Sequence, residues 1–401
     1  MKRPRCQQKR QEEKMASETA DIKIFETFDE MGLPENLLRG VYAFGFQKPS
    51  EIQKRAIRVI MDGRDTICQA QSGTGKTGAF GIGCLSCVDP ANPATQVLIL
   101  APTRELAQQI EGVVRGLGEY TKLTFAAATG GNPVREDVSA LQRGAQVVIG
   151  TPGRVYDLME RNVLRRNEIK CLVLDEADQM LEGRFRDQLE CILGMGFPES
   201  TRVGLFSATM PDEVVDVANR LLKDPVRILL PPEKVTLDGI SQFFVEVERD
   251  EWKFDCLCDI YQQININQAI IYDNTRQKVE WLAKRLQENK FEVGYIHGEM
   301  DPKERKAMIK AFRSGQVRVL VSSDLLARGL DVQQVSLVIN FALPPNRENY
   351  IHRIGRSGRF GRKGSAINLV TPAELVEMRE IEGHYATSIA PLPGNMAEVL
   401  A

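Results

Sequence analysis

The sequence predicts an α/β protein of two tandem domains, each a parallel sheet flanked by helices, with a short linker between them. Three observations carry this. Short runs rich in Val, Ile and Leu alternate with helix-patterned segments, the order that builds a parallel sheet buried on both faces. The alternation breaks at a polar, proline-bearing stretch, residues 230–239, and then restarts. A phosphate-loop pattern occurs only in the first half, from Ala70 to Thr77 (AQSGTGKT). The 401 residues also exceed what one typical domain holds.

Taken in order, residues 1–21 open with a polar, mostly basic run, Met1 to Lys14, that lacks apolar periodicity and is expected to be a disordered tail. The first domain spans 22–229, with strands expected at Asp65–Ala70, Gln96–Pro102, Leu123–Ala128, Gln146–Thr151, Cys171–Asp175 and Arg202–Ser207. Helical patterns such as Arg104–Leu117 and Asp212–Leu222 separate them. After the linker, the second domain spans 240–401, with strands expected at Gln242–Val247, Ala269–Tyr272, Glu292–Ile296, Arg318–Ser322, Ser336–Asn340 and Ser365–Leu369. In sheets of this kind ligands sit at the carboxyl ends of the strands, and two such domains with one loop suggest a nucleotide in the cleft between them.

Composition narrows the class. A net charge of −2 offers no overall basic field, so any nucleic-acid contact must come from local patches. No apolar run reaches the length of a membrane span and the N-terminus carries no apolar signal core, so the chain reads as soluble and intracellular. Eight cysteines fit a reducing compartment. Cys84 and Cys87, like Cys256 and Cys258, have a metal-like spacing, but their helix-like apolar context favours buried free thiols.

The phosphate loop supplies the first chemistry. Gly73 and Gly75 let the backbone curl so that its N–H groups, with Ser72 and Thr74 in the turn, face phosphate oxygens. Lys76 can reach the outer phosphates, and the Thr77 hydroxyl can ligate magnesium. At the end of a buried strand, Asp175 is placed to hold the same ion, and Glu176 to deprotonate an attacking water. Gln53 can pair with the adenine edge, and Phe46 offers that base a stacking face. Arg104 and Arg154, with the glycine pair Gly130 and Gly131 and with Thr151, have the residue types for phosphate contacts along a nucleic-acid strand. An arginine at a helix start is more often simply solvated, and an RNA role for these residues rests mainly on family resemblance. The run from His352 to Lys363 (HRIGRSGRFGRK) carries arginines spaced by glycines, a composition suited to charge on a transferring phosphoryl group.

These blocks together resemble the DEAD-box RNA helicases. The likeness runs from about Phe28 to the C-terminus: Asp175 to Asp178 is the family's signature, and Gly45 to Gln53 is similar to its adenine-reading motif, with Phe28 upstream. Pro102 to Leu106, Thr151 to Arg154, Ser207 to Thr209 and Ala327 to Asp331 resemble other family blocks in the family's order. The resemblance implies two RecA-like domains, ATP and Mg2+ as ligands, RNA-stimulated ATP hydrolysis and local duplex unwinding. It implies Arg356 and Arg359 as arginine fingers supported by His352, nucleotide contacts from Lys48, Gly329 and Asp331, and RNA contacts from Pro102, Thr103, Arg104, Gly131, Thr151, Arg154, Asn274, Arg276, Arg305 and Ser323. RNA would be bound without sequence preference, as a single strand or short duplex.

Within the family, Leu38 to Tyr42, Val245 to Trp252 and Asp331 to Ser336 are most similar to the translation-initiation branch, which implies mRNA, a scaffold protein of the initiation-factor type, a monomer outside that complex, and a cytoplasmic or nuclear location. Phe28 to Leu33 resemble an exon-junction branch, which implies an ATP-gated RNA clamp in splicing or decay. Several positions depart from the pattern. Tyr272 and Asp273 stand in a motif that is usually Phe followed by a small or apolar residue. Pro302 stands where Gln is usual, Ser322 and Ser323 replace a Thr pair, and Asn132 replaces Thr. The expectation is intact ATP chemistry, with altered RNA contacts in the second domain.

Overall fold

The computed structural model describes residues 22–70, 73–131, 133–181, 183–229, 239–263, 268–324, 335–357 and 364–394. The tail, most of the linker, Ser72, Asn132, Gly329, Asp331 and Arg359 lie outside these residues. The chain divides into two compact units after residue 230.

The first unit carries strands β1 (Thr66–Gln69), β2 (Val97–Leu100), β3 (Phe125–Ala128), β4 (Val147–Gly150), β5 (Cys171–Asp175), β6 (Arg202–Ser207) and β7 (Val226–Leu229). All pair in parallel, in the order β3-β4-β2-β5-β6-β1-β7. Side chains of a strand alternate between faces, so the sheet supports two apolar layers. One holds Ile99, Val147 and Val173 against Phe80 and Ile110, and the other holds Leu98, Leu100 and Leu172 against Val155 and Leu189.

Helices α1 (Glu35–Ala43), α2 (Gln53–Met61), α3 (Lys76–Leu85), α4 (Arg104–Leu117), α5 (Val134–Gln142), α6 (Pro152–Glu160), α7 (Ala177–Met180), α8 (Gly183–Gly194) and α9 (Asp212–Leu221) connect the strands. In α4 the Thr103 hydroxyl caps the start by accepting from the Leu106 N–H, and Leu106, Ile110, Val114 and Leu117 form the buried stripe. At the amino ends of the strands, buried Asp65 accepts from the Val203 N–H at 2.8 Å and the Lys223 N–H at 2.7 Å, tying the start of β6 to the turn before β7. The described cysteines are free thiols. Cys84 and Cys171 are buried, and Cys87 Sγ accepts from Arg202 Nη1 at 3.1 Å.

The second unit repeats the plan. Strands β8 (Ile240–Glu246), β9 (Ala269–Tyr272), β10 (Val293–Ile296), β11 (Val319–Ser322), β12 (Leu337–Asn340), β13 (Gly364–Val370) and β14 (Ala390–Pro391) lie in the order β10-β11-β9-β12-β13-β8-β14. Shifted by seven, this is the order of the first sheet. Helices α10 (Lys253–Gln263), α11 (Arg276–Glu288), α12 (Pro302–Arg313), α13 (Arg347–Ile354) and α14 (Pro372–Tyr385) cover it. Pro302, which reads as a lost Gln in the sequence, is the first residue of α12 and follows the Asp301 cap. A proline there gives up an N–H that has no helical partner anyway and presets the helical φ. Helix α14 starts with a full capping box between Thr371 and Glu374, and the buried Lys253 ammonium bonds that same Glu374 at 2.7 Å. Among the described residues no helix is long and apolar enough to cross a membrane.

Candidate functional site

In the first unit the carboxyl ends of neighbouring strands β5, β6 and β1 carry one group of predicted residues. The turn after β1 has Gly73 at φ +85° and Gly75 at +99°, the left-handed region that glycine enters without strain. A Cβ on Gly75 would lie 2.8 Å from Gln53 Nε2 and from Ser50 Oγ, so glycine is needed for space as well. Gln53 closes against this turn: its Nε2 donates to the Gly75 carbonyl at 3.2 Å, and its Oε1 accepts from the Ser50 N–H at 2.9 Å. Phe46 lies beside it, stacked on fully buried Phe28 at 6.5 Å and edge-on to Phe44 at 5.3 Å. Phe28 is therefore a core support for Phe46. Lys48 is exposed, and Thr74 and Thr77 are half-buried on the turn and the first helical turn.

Lys76 is 6% exposed, yet among the described residues its ammonium has no hydrogen-bond partner, and it lies 4.0 Å from Glu176 Oε1. A buried, unsatisfied cation at a helix start is what an anionic ligand would complete. Beside it, Asp175 Oδ1 accepts from the Glu176 N–H at 3.0 Å. Burial pushes the Asp175 carboxyl up to about 7; Lys76 opposes this and the Glu176 charge adds to it. Glu176 itself sits at φ +52°, strained backbone of the kind stored at functional sites. Asp178, a member of the signature with no role read from sequence, accepts from the Thr209 hydroxyl at 2.5 Å, and its N–H donates to Ser207 Oγ at 3.4 Å. The acid-bearing end of β5 is thereby fastened to the end of β6. Crowded carboxylates in a site that penalises their charge, with a hydroxyl and a lone ammonium close by, suit a divalent cation and phosphate together.

The other half of the same sheet, β3-β4-β2, ends in the predicted RNA residues. Pro102 and Thr103 are buried where β2 passes into α4. Arg104 Nη2 donates to the Gly130 carbonyl after β3, and a Cβ on Gly131 (φ +88°) would collide with that guanidinium. The Thr151 N–H, after β4, donates to the Ala128 carbonyl at 3.1 Å. Arg154 is ion-paired with Asp137, a buried carboxylate on α5 that sequence reading missed. Burial raises the Asp137 carboxyl even against the Arg154 charge. The two arginines are thus held from behind, Arg104 by a carbonyl and Arg154 by a carboxylate.

The second unit shows the same division. After β9, Asn274 turns inward, donating to the Leu343 carbonyl at 2.8 Å and accepting from Arg353 Nη2 at 2.6 Å. Arg276 is exposed and paired with Glu299, and also lies 3.7 Å from Glu280. Arg305 Nη1 donates to the Gly298 carbonyl after β10 at 3.1 Å, and Ser323 follows β11, its N–H on the Ile296 carbonyl at 3.4 Å. His352 lies on α13, and Arg356 Nε, just beyond the helix, donates to the His352 carbonyl at 3.1 Å.

Comparison with known proteins meets this geometry from outside. Residues 50–217 match the DEAD/DEAH box helicase profile, and residues 252–361 match the helicase conserved C-terminal domain. The chain is 53% identical to "Eukaryotic initiation factor 4A" of Caenorhabditis elegans, over 94% of each protein. It is 53% identical to "ATP-dependent RNA helicase eIF4A" of Mycosarcoma maydis, over 94% of this chain and 92% of the other. Among solved structures it is similar to S. cerevisiae Dbp5 bound to RNA and ADP BeF3, with TM-score 0.88 and 36% identity, covering 94% and 100% of the two chains. It is also similar to Mss116p bound to ssRNA and AMP-PNP, with TM-score 0.82 and 28% identity, covering 93% and 80%.

Proposed function

Because the chain belongs to the DEAD/DEAH box helicase family and is an ATP-dependent RNA helicase, we propose that it remodels mRNA during translation initiation, using the two halves of each sheet for different ligands. The observation that carries the ATP assignment is the buried Lys76 ammonium, which has no hydrogen-bond partner among the described residues and faces Glu176 behind the glycine turn. Phosphate oxygens would satisfy it and the turn's N–H groups together. Phe46 and Gln53 take the adenine, with Lys48 at the rim.

Thr77 and Asp175 would hold Mg2+, which neutralises charge on the phosphates when bound. Glu176 accepts the proton of the attacking water. Arg356 and Arg359, with His352, Gly329 and Asp331, supply the remaining contacts to the transferring phosphoryl group. RNA lies along Arg104, Gly131, Thr151 and Arg154 in the first unit, and along the loops bearing Asn274, Arg276, Arg305 and Ser323 in the second. Contacts of this type are to backbone phosphate, so binding is independent of base sequence. The relatives named as initiation factors support a cytoplasmic site of action, and the same reading takes a scaffold protein of the initiation-factor type as partner.

The test is ATP hydrolysis with and without single-stranded RNA, followed by displacement of a short RNA duplex. Hydrolysis stimulated by RNA and dependent on Mg2+ is expected. A chain whose ATP turnover ignores RNA would overturn the proposal. Capture of initiation scaffold proteins from extract by the tagged chain tests the cellular assignment, and capture of splicing proteins instead would redirect it.

A further inference from the structure

A line of buried polar side chains crosses the second unit from one half of its sheet to the other. It begins at Gln242 on β8, whose Oε1 accepts from the Tyr350 hydroxyl at 2.9 Å. Asn368 Nδ2 donates to that hydroxyl at 3.2 Å and to the Phe243 carbonyl at 2.9 Å. Asn368 Oδ1 accepts from Asn340 Nδ2 at 2.8 Å; the two residues are direct neighbours on β13 and β12. Asn340 Oδ1 then accepts from Arg353 Nη1 at 3.3 Å. The side chains of Arg353, Asn340, Asn368 and Tyr350 are fully buried.

Two features make this line more than packing. The first is its fixed polarity. A carbonyl can only accept, so Phe243 dictates which end of Asn368 is the amide nitrogen. That choice turns Asn368 Oδ1 toward Asn340, which in turn presents its own oxygen to Arg353. The orientation is passed along the line.

The second is that the Arg353 guanidinium is saturated. Its Nε and one Nη2 hydrogen take the two oxygens of Asp324, the latter at 3.0 Å; the other Nη2 hydrogen takes Asn274 Oδ1; Nη1 takes Asn340 Oδ1 and, at 2.7 Å, the Ala342 carbonyl. Every donor of an arginine is then used, and the ring of Tyr272 lies 5.3 Å away. Arg353 has nothing left for a ligand. It joins instead helix α13, whose run continues to Arg356, to the loop after β9 with Asn274 and to the loop after β11 with Ser323 beside Asp324.

We propose that Asn340 and Asn368 are positioning residues: by orienting Arg353 they lock the phosphate-facing helix α13 to the two RNA-facing loops, so that RNA binding and ATP turnover are coupled through one guanidinium. This rests on the assignment of those loops and that helix given above. A buried cation tolerates no half-satisfied geometry, which is why a substitution two residues removed from any ligand should be felt.

The experiment uses the full chain with Asn340→Leu, which preserves bulk and removes both links, and with Tyr350→Phe, which deletes one hydroxyl and keeps the packed ring. Three readouts are taken: RNA-stimulated turnover against RNA concentration, affinity of the RNA-free chain for a fluorescent ATP analogue, and melting temperature. In Asn340→Leu, maximal RNA-stimulated turnover should fall about tenfold and the RNA concentration needed should rise, while nucleotide affinity stays within about twofold. Tyr350→Phe should give a smaller loss of the same kind. It carries the test alone if the Leu variant does not fold. RNA-stimulated turnover unchanged in folded variants overturns the inference, as does a loss shared equally by nucleotide affinity and tracking the melting temperature. A wild-type chain without RNA stimulation overturns the functional reading, and this inference with it.

Discussion

Glu176→Gln separates the two roles that Glu176 could play. Its carboxylate lies 4.0 Å from the Lys76 ammonium, and both side chains are almost fully buried, at 5% and 6% exposure. With an effective dielectric constant of roughly 20, a pair at that distance is worth about 4 kcal/mol. If Glu176 were only a counter-charge for Lys76, the amide would forfeit much of that energy. The loss would then appear in nucleotide affinity and melting temperature, with turnover at saturating ATP nearly intact. If Glu176 is the base, the amide keeps the shape and loses the proton acceptor, at a cost of about 10²–10⁴ in turnover. Affinity should then hold or improve, because the Glu176 charge is one reason the Asp175 carboxyl is held up at about 7. Without it Asp175 ionises more readily and remains beside Lys76. Single-turnover phosphate release at saturating RNA and ATP, alongside fluorescent nucleotide titration, distinguishes the cases. Turnover within tenfold of wild type would refute the assignment of Glu176 as base.

Lys76→Ala should give the opposite pattern, a loss of ATP affinity on the order of a hundredfold by titration, since the cation that faces the phosphates is gone and Asp175 loses the charge that favours its ionised form. Gln53→Ala should shrink the preference for ATP over GTP by about tenfold in competition binding; full discrimination in that variant would remove Gln53 from adenine reading. Asp65→Ala should lower the melting temperature of the first unit by roughly 10 °C without changing nucleotide affinity. It leaves two backbone N–H groups without their side-chain acceptor, at about 1–3 kcal/mol each, at the amino ends of the strands away from the glycine turn. A shift under about 2 °C by differential scanning fluorimetry would show that water replaces the carboxylate there.

The expected strands were legible because runs such as Val97–Leu100 and Leu337–Asn340 are apolar on both faces, a pattern few other elements share. β7 and β14 were not. β7 follows Pro225, is broken by Arg227 and lies at the sheet edge, and β14 has two residues. The motifs were legible for a related reason: a glycine turn or an acid-ended strand is local. What escaped is non-local. Asp137 with Arg154, Asp178 with Thr209 and Asp324 with Arg353 lie 17, 31 and 29 residues apart, and no spacing rule joins them. They meet because strand order, which periodicity does not encode, sets which strand ends are neighbours.

That order also explains why two like sheets hold unlike chemistry. β1 and β8 occupy equivalent places, next to last in their sheets. β1 runs through a glycine turn into α3, with Gly75 in the left-handed region at the helix start. β8 continues past Glu246 to the turn Asp250–Trp252 and into α10, with no glycine between Ile240 and Gln263. Without glycine the chain there cannot curl its N–H groups into a cradle at low cost. The second unit carries instead a buried amide line across β8, β13 and β12 that ends on Arg353. One fold, used twice, thus builds a glycine turn before a helix in one unit and a buried arginine–amide network in the other.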